Sequence, residues 1–331
     1  MHRKGRDPPS GFDLPRRWCI MTVSIIPSRS TLEHMKTAFL ILCHRDPGQI
    51  NALAEKLSQI RGSDIYIHVD LNHPEVRKGI LPRENLRLIP EERSFPIRWG
   101  GVDMVRATLQ LIREARDSGT DYDYLWLMSG QDYLICPAEE IERRLASSPG
   151  TSYIDVIPAG DQRCRRYMKR CQLPYPAWIN GRSPAVKFVK YFYMLMTGGR
   201  DRTFAPLIRK SPVGQDFSFG SQWWTLTSRA AYDVLDRSDR DPRILRFFEK
   251  SIIPDECFFQ TLFMQGPYKD RRMPHLTFVS WEQGARSPRI LTEKDLDLLR
   301  EKSEHYCAAR KFDISQSRSL MDALDREDLR A

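Results

Sequence analysis

Apolar positions along this chain fall in short continuous runs separated by stretches with a helical period. Lys36–Cys43 (KTAFLILC) is apolar at almost every position, the pattern of a strand buried on both faces. His44-Arg-Asp-Pro-Gly48 predicts a turn, and Ile50–Ile60 an amphipathic helix. Asp64–Asp70 (DIYIHVD) reads as a second strand ending in a carboxylate. Val102, Val105, Leu109 and Ile112 recur at helical spacing and predict a helix over Val102–Arg116. Tyr124–Met128 (YLWLM) is a third buried strand, closed by the turn Ser129-Gly-Gln-Asp-Tyr133. Strands alternating with helices predict an α/β fold, a mostly parallel central sheet flanked by helices.

The second half is less regular. Residues 158–215 mix prolines, basic residues and aromatics. Phe217–Leu226 reads as a strand, Arg229–Leu235 as a short helix, and Ile252-Ile-Pro-Asp-Glu256 as the opening of a helix that runs through Phe263. Leu276–Trp281 is a late strand and Glu293–Ser303 a charged helix; Ala308–Phe312 closes the fold. No internal repeat and no long linker divides the chain, so one domain over 36–313 is expected. It is flanked by a Pro- and Arg-rich tail at 1–35, disordered or lying upstream of a true start at Met35, and by a polar C-terminal tail at 314–331.

Composition narrows the function classes. Of 331 residues, 41% are apolar and 10% aromatic, enough for a core. No apolar run reaches the ~18–20 residues of a membrane-spanning helix. The net charge of +9 is concentrated: residues 161–210 hold twelve Lys and Arg against Asp161 and Asp201. A local block of this kind points to one anionic contact, an anionic membrane or an acidic glycan, or to a solvated face. No nucleic-acid motif accompanies it, and nucleic acid is not expected as a partner. Seven cysteines without a CxxC pair suggest neither a disulfide framework nor a zinc site, and a reducing cytoplasm follows, with the inner face of the plasma membrane as a site of peripheral contact.

In open parallel sheets, ligands bind beyond the carboxyl ends of the strands, and there lie His44, Asp70 and the Gly130-Gln131-Asp132 turn. The sharpest local signal is Pro254-Asp255-Glu256, where proline suits a first helical turn and two acids meet the positive end of the helix dipole. Either the acids simply favour a helix start, or one of them faces a cleft as a general base.

Six motifs in order carry a resemblance: Ile67-His-Val-Asp70, Trp99-Gly-Gly101, Trp126-Leu-Met-Ser-Gly-Gln-Asp-Tyr133, Gly220-Ser-Gln-Trp223, Pro254-Asp-Glu256 and Ala309-Arg-Lys-Phe312. Together, over roughly residues 36–313, they make the chain similar to the core-2/I-branching β-1,6-N-acetylglucosaminyltransferases, a family that includes the peptide O-xylosyltransferases. The resemblance implies a GT-A-like nucleotide-sugar transferase fold. It also implies an inverting transfer from a UDP-sugar, most simply UDP-N-acetylglucosamine, to a hydroxyl of a glycan or protein acceptor. No metal cofactor is implied; the turn after the central strand here holds Ser129-Gly130-Gln131-Asp132 in place of an Asp-x-Asp pair.

By the same resemblance Glu256 matches the catalytic base, Arg310 and Lys311 the cations that receive the diphosphate, and Asp70, with His44 beside it, a nucleotide position. Gln131, Asp132, Gln222 and Trp223 match donor-sugar and acceptor positions. Two departures bear on the donor and acceptor: Leu71-Asn72 follows Asp70 where xylosyltransferases carry a basic pair, and Gln222 stands where they carry an acid. An O-xylosyltransferase using UDP-xylose is the alternative in the same class. A non-catalytic glycan- or polyanion-binding protein is the alternative in another.

Overall fold

The computed structural model describes residues 35–158, 160–175, 183–196, 209–214, 216–282, 284–285 and 287–328. Of the N-terminal tail expected at 1–35, all but Met35 lies outside the described residues.

Ten strands are described: β1 (Thr37–Cys43), β2 (Ser63–Val69), β3 (Leu86–Leu88), β4 (Tyr124–Ser129), β5 (Asp132–Leu134), β6 (Ser152–Ile154), β7 (Trp224–Thr227), β8 (Arg272–Met273), β9 (Thr277–Val279) and β10 (Ala308–Arg310). Seven form the main sheet in the order β3-β2-β1-β4-β7-β6-β8. The first four run parallel, β7 is antiparallel to both β4 and β6, and β8 pairs parallel with β6. The mostly parallel α/β sheet therefore forms as the apolar runs predict. A smaller sheet, β5-β10-β9, stands apart from it.

Each apolar run is continuous because both faces of its strand are covered. Leu40, Leu42, Leu125, Leu127 and Trp224 pack on one side with the helices Asp103–Asp117, Ser228–Arg240 and Phe258–Met264. Phe39, Ile41, Ile67, Trp126 and Met128 pack on the other, with the helices Pro47–Leu57 and Ala138–Ser147 and the small sheet. Trp126 and Trp224, both fully buried, fill opposite sides of this centre.

Two expectations require correction. The run Phe217–Leu226 is a strand only from Trp224 onward. Upstream, its backbone bonds to loops instead of a neighbouring strand: Ile157 N donates to the Phe219 carbonyl and Gly220 N to the Glu256 carbonyl. The second correction concerns 314–331, expected as a polar tail. Ile314–Asp328 is a helix. Its overall polarity conceals Leu320, Met321 and Leu324, which share a face, are buried, and join the core on the Trp126 side. Tyr133 donates to Asp325, and Lys56 pairs with the same carboxylate at 3.0 Å, fixing the helix across the small sheet.

Leu320 is fully buried, so Leu320→Ala should lower unfolding free energy by about 2–5 kcal/mol, the range for cavity-forming core truncations. Urea denaturation checks this; a loss near zero would show that the helix does not contribute to the core.

Candidate active site

Three loops meet beyond the carboxyl ends of β1, β2 and β4, and two of them are tied to the small sheet. The Ser129–Asp132 turn is held by its own side chains: Asp132 Oδ2 accepts from Ser129 N at 2.9 Å, and Ser129 Oγ accepts from Gln131 N. The Gln131 carbonyl accepts from Phe312 N, and the Gln131 amide reaches the Phe312 carbonyl at 3.4 Å. Gln131 thus ties the turn to the 310–312 segment. β5 and β10 pair antiparallel with Asp132 opposite Arg310.

This register sets Arg310 Nε 3.6 Å from Asp132 Oδ1, the aspartate fully buried and the arginine side chain nearly so. The Arg310 guanidinium lies over the Trp223 ring, 4.2 Å from its centroid. Arg310 Nε and Nη1, Asp132 Oδ1 and Gln222 Nε2 are buried without a hydrogen-bond partner among the described residues. Polar atoms left this way cost free energy unless a ligand completes them. Burial pushes the Asp132 carboxyl up to about 6, even against the charge of Arg310. Burial also lowers the Arg310 pKa, opposed by Asp132.

Lys311 adds a second cation. Among the described residues no carboxylate pairs with its ammonium. Its pKa is pushed down, first by burial and then by the charges of Arg45 and Arg310. Three cations crowded this way attract a multiply charged anion. Arg45 also pairs with Asp46 and Asp313. His44 follows β1, and its pKa is lowered by burial and next by Arg45 and His73. With Arg45, Asp46, His73 and Glu75, His44 lines a cavity of about 430 Å³. Asp70, at the end of β2, spends Oδ1 on Asn72 N, Asn72 Nδ2 and Ile97 N, each within 3.0 Å. Its described bonds close the strand-end loop.

The Pro254–Glu256 turn is a short 3-10 segment preceding the helix Phe258–Met264. Ile253 before it adopts a left-handed conformation, φ 52°, unfavourable for a β-branched residue. The surroundings hold it there: Ile253 N donates to the Gly100 carbonyl, and Ile252 N to the Arg170 carbonyl. The Trp99-Gly100-Gly101 motif therefore supports the acidic turn, while Trp99 itself is largely exposed. Arg170, from the helix Gln162–Gln172, donates Nη1 to Glu256 Oε2 at 2.7 Å and lies 4.1 Å from the Tyr167 ring centroid. Nothing in local spacing reveals Arg170, since its partner lies 86 positions away in sequence.

The two neighbouring acids are unlike. Glu256 is partly exposed and paired. Asp255 is buried, and burial, then the Glu256 charge, push its carboxyl up to about 7. The Gly220–Trp223 segment connects this turn to Arg310. Gly220 N bonds the Glu256 carbonyl, Gln260 Nε2 bonds the Ser221 carbonyl at 2.6 Å, and Trp223 meets the guanidinium. Glycine is required at 220, because a Cβ there would lie 1.9 Å from the Asp155 carbonyl oxygen. The structure thus joins Asp132, Gln131, Arg310 and Trp223 in direct contact or one residue apart, with Lys311 following Arg310. Glu256 reaches them through the 220–223 segment, and His44 and Asp70 line the adjacent strand ends.

A family model described as Branch, Core-2/I-Branching enzyme, matches residues 37–300. The chain belongs to the core-2/I-branching enzyme family. Among curated relatives of this family member is "Xylosyltransferase sqv-6" of Caenorhabditis elegans, 22% identical over 289 residues, covering 80% of this chain and 33% of that protein. "Xylosyltransferase oxt" of Drosophila melanogaster is 23% identical over 212 residues, covering 60% of this chain and 20% of that one. The core-2/I-branching chain thus spans about a third or less of these relatives' length. Among solved structures it is similar to 4-diphosphocytidyl-2C-methyl-D-erythritol synthase of Anaerococcus prevotii, with 9% identity, a TM-score of 0.37, and coverage of 84% of this chain and 100% of that one. The chain thus carries the domain of a family of glycosyltransferases.

The raised Asp255 carboxyl has a measurable consequence. In the unfolded chain it ionises near the ordinary value of 3.8, in the folded chain only near 7, so stability falls as pH rises between those values. Asp255→Asn removes this contribution. The stability of the variant relative to the parent should therefore grow from pH 4 to pH 7 and level off above, as read by denaturant unfolding at several pH values. A pH-independent difference would contradict the burial argument.

Proposed function

We propose that this glycosyltransferase moves a sugar, N-acetylglucosamine in the first instance, from a UDP-sugar to an acceptor hydroxyl with inversion and without a metal ion. The observation that carries the reading is the single connected unit formed by the Glu256 turn, the Gly220–Trp223 segment and the buried Arg310 with its unpartnered nitrogens. It connects the turn that carries the Glu256 carboxylate, through Gly220 N on the Glu256 carbonyl, to the residue whose ring meets an anion-seeking cation.

In the step we infer, Glu256 takes the proton of the acceptor hydroxyl as that oxygen attacks C1 of the donor. The C1–O bond to the diphosphate breaks on the opposite side, and its electron pair leaves with UDP. Arg310, Lys311 and Arg45 meet the charge that develops on the leaving oxygen; fixed cations act there without reorganising. Trp223 offers a face for a sugar to stack on, and Gln222 an amide for its hydroxyls. Asp70 and His44 border the space for the nucleoside. Among the described residues no group of three or more His, Cys, Asp or Glu side chains is placed to hold a metal ion. Arg310, Lys311 and Arg45 are the diphosphate partners in this proposal.

UDP-xylose is the second reading, and the xylosyltransferase names of the relatives favour it. Against it stands Asn72, which follows Asp70 and Leu71 and is spent on the Asp70 loop and the Ile97 carbonyl. The cellular location proposed for the enzyme is the cytoplasm; among the described residues no helix is long and apolar enough to cross a membrane.

Glu256→Gln should lower kcat by ~10²–10⁴-fold, the usual contribution of a general base, while UDP affinity stays within twofold or so of the parent. Full activity in the variant would remove Glu256 from the mechanism. Thermal-shift titration across UDP-sugars, with and without excess EDTA, identifies the donor as the compound that raises the melting temperature most. The shift and the turnover should both persist in EDTA; a loss reversed by Mn²⁺ would overturn the metal-free proposal. Affinity for UDP-N-acetylglucosamine, whose diphosphate does not titrate in this range, should tighten as pH falls below about 6. There Asp132 gains a proton and leaves Arg310 uncompensated. Calorimetric titration at several pH values reads this directly.

A further inference from the structure

The helix Pro184–Met196 (PAVKFVKYFYMLM) turns apolar side chains outward. Phe188 is 72% exposed, Tyr191 70% and Phe192 55%, and Val189 beside them is also exposed. Positions 188, 191 and 192 follow the i, i+3, i+4 spacing and form one stripe. The helix is not detached from the fold. Tyr193 donates its hydroxyl to the Pro174 carbonyl, and its ring lies 5.8 Å from that of Tyr175. Leu173, Tyr175 and Ile252 form a small core under this contact, joined by Tyr193. One face of the helix is thus anchored by Tyr193, and the opposite face presents large aromatics to solvent.

Charge singles out the occupant. The sequence of the helix carries Lys187 and Lys190 and no acidic residue. It lies within the block 161–210, whose only acids are Asp161 and Asp201. Several cations of that block serve the fold: Arg163 pairs with Asp161, Arg170 with Glu256, and Arg209 bonds the Cys171 and Phe247 carbonyls. The helix that bears the apolar stripe thus has a net positive sequence within a net positive block. Exposed Phe and Tyr flanked by Lys is the chemistry of a helix lying in the interface of an anionic bilayer, rings among the acyl chains and ammonium groups at the headgroups.

We propose that the face bearing Phe188, Tyr191 and Phe192 docks the protein on an anionic phospholipid surface. Docking here brings the bilayer beside a cleft of about 550 Å³ lined by Arg98, Arg106, Pro174, Tyr175, Glu249 and Lys250. Pro174 and Tyr175 are the residues that Tyr193 grips. The inference concerns binding alone and does not depend on which sugar is transferred.

Flotation of the full chain tests it, with vesicles of phosphatidylcholine alone and of phosphatidylcholine mixed with phosphatidylglycerol. Co-flotation is expected with the mixed vesicles only and should be lost in high salt, which screens headgroup attraction. The double variants Phe188→Ser with Phe192→Ser, and Lys187→Glu with Lys190→Glu, should each lose it. Phe188→Trp, a conservative change, should show an emission blue shift over the parent protein when mixed vesicles are added, a readout that does not depend on the disruptive variants. Absence of flotation by the parent, flotation equal on neutral vesicles, flotation unaffected by the phenylalanine changes, or no shift from Phe188→Trp would each overturn the proposal. A concentration-dependent dimer abolished by Phe188→Ser, without flotation, would overturn it in favour of a second copy of the chain.

Discussion

The site is organised around a buried cation that the protein does not fully satisfy. Arg310 lies opposite Asp132 in the small sheet, against the Trp223 ring, with Nε and Nη1 buried and without a hydrogen-bond partner among the described residues. Taking a guanidinium and a carboxylate out of water costs several kcal/mol per ion, and a separation of 3.6 Å without a hydrogen bond recovers only part of that. Packing elsewhere must hold the arrangement. The interlock of Gln131 with Phe312, the stack of Trp223, and the helix Ile314–Asp328 directly after the segment all do so. A diphosphate oxygen entering here would complete a site already desolvated before it arrives, and so add transition-state stabilisation with little rearrangement.

The second constraint is the turn at Ile253. A β-branched residue in a left-handed conformation persists only where its neighbours over-determine it. Here the Gly100 and Arg170 carbonyls take the two consecutive amides of Ile252 and Ile253, and the Arg170 side chain takes Glu256. One residue of the basic helix thus fixes both the backbone of the acidic turn and the carboxylate on it. The outcome separates two adjacent acids, Asp255 buried with its proton held up to about 7, Glu256 half-open and ion-paired. Neighbouring carboxyl groups forced into different environments are a recurrent arrangement of acid–base sites.

How much of this was legible in the sequence depended on the range of the interactions. β1, β2 and β4 were readable because strands covered on both faces must be continuously apolar, and that signal is local. The small sheet was not, because three-residue strands carry no period and β5 finds β10 across more than 170 residues. The C-terminal helix escaped for another reason. Leu320, Met321 and Leu324 are a correct helical face, diluted by charged residues on the outer side of the same helix. Among candidate site residues, the family motifs named Arg310 and Trp223 separately but not their stacking, and no motif named Arg170.

The same long-range pairing revises the meaning of the charge. Net charge per segment treats the cations of 161–210 as equivalent, yet three that the structure describes do quite different work. Arg163 holds the N-cap Asp161 of its own helix by donating to that carboxylate, and Arg209 is turned inward with its pKa pushed down to about 10 by burial. Arg170 grips the carboxylate at the candidate active site. A guanidinium suits each task because its planar fork can satisfy two acceptors or stack on a ring while staying charged. The sequence of the helix Pro184–Met196 carries lysine instead, a residue type whose ammonium is a compact point charge without that fork. Three arginines of the block are thus committed to carboxylates or carbonyls of the fold, while the helix with the exposed aromatic stripe has a sequence with lysines and no acid. That net positive sequence is what makes an anionic surface, and not a folded partner segment, the fitting cover for Phe188, Tyr191 and Phe192.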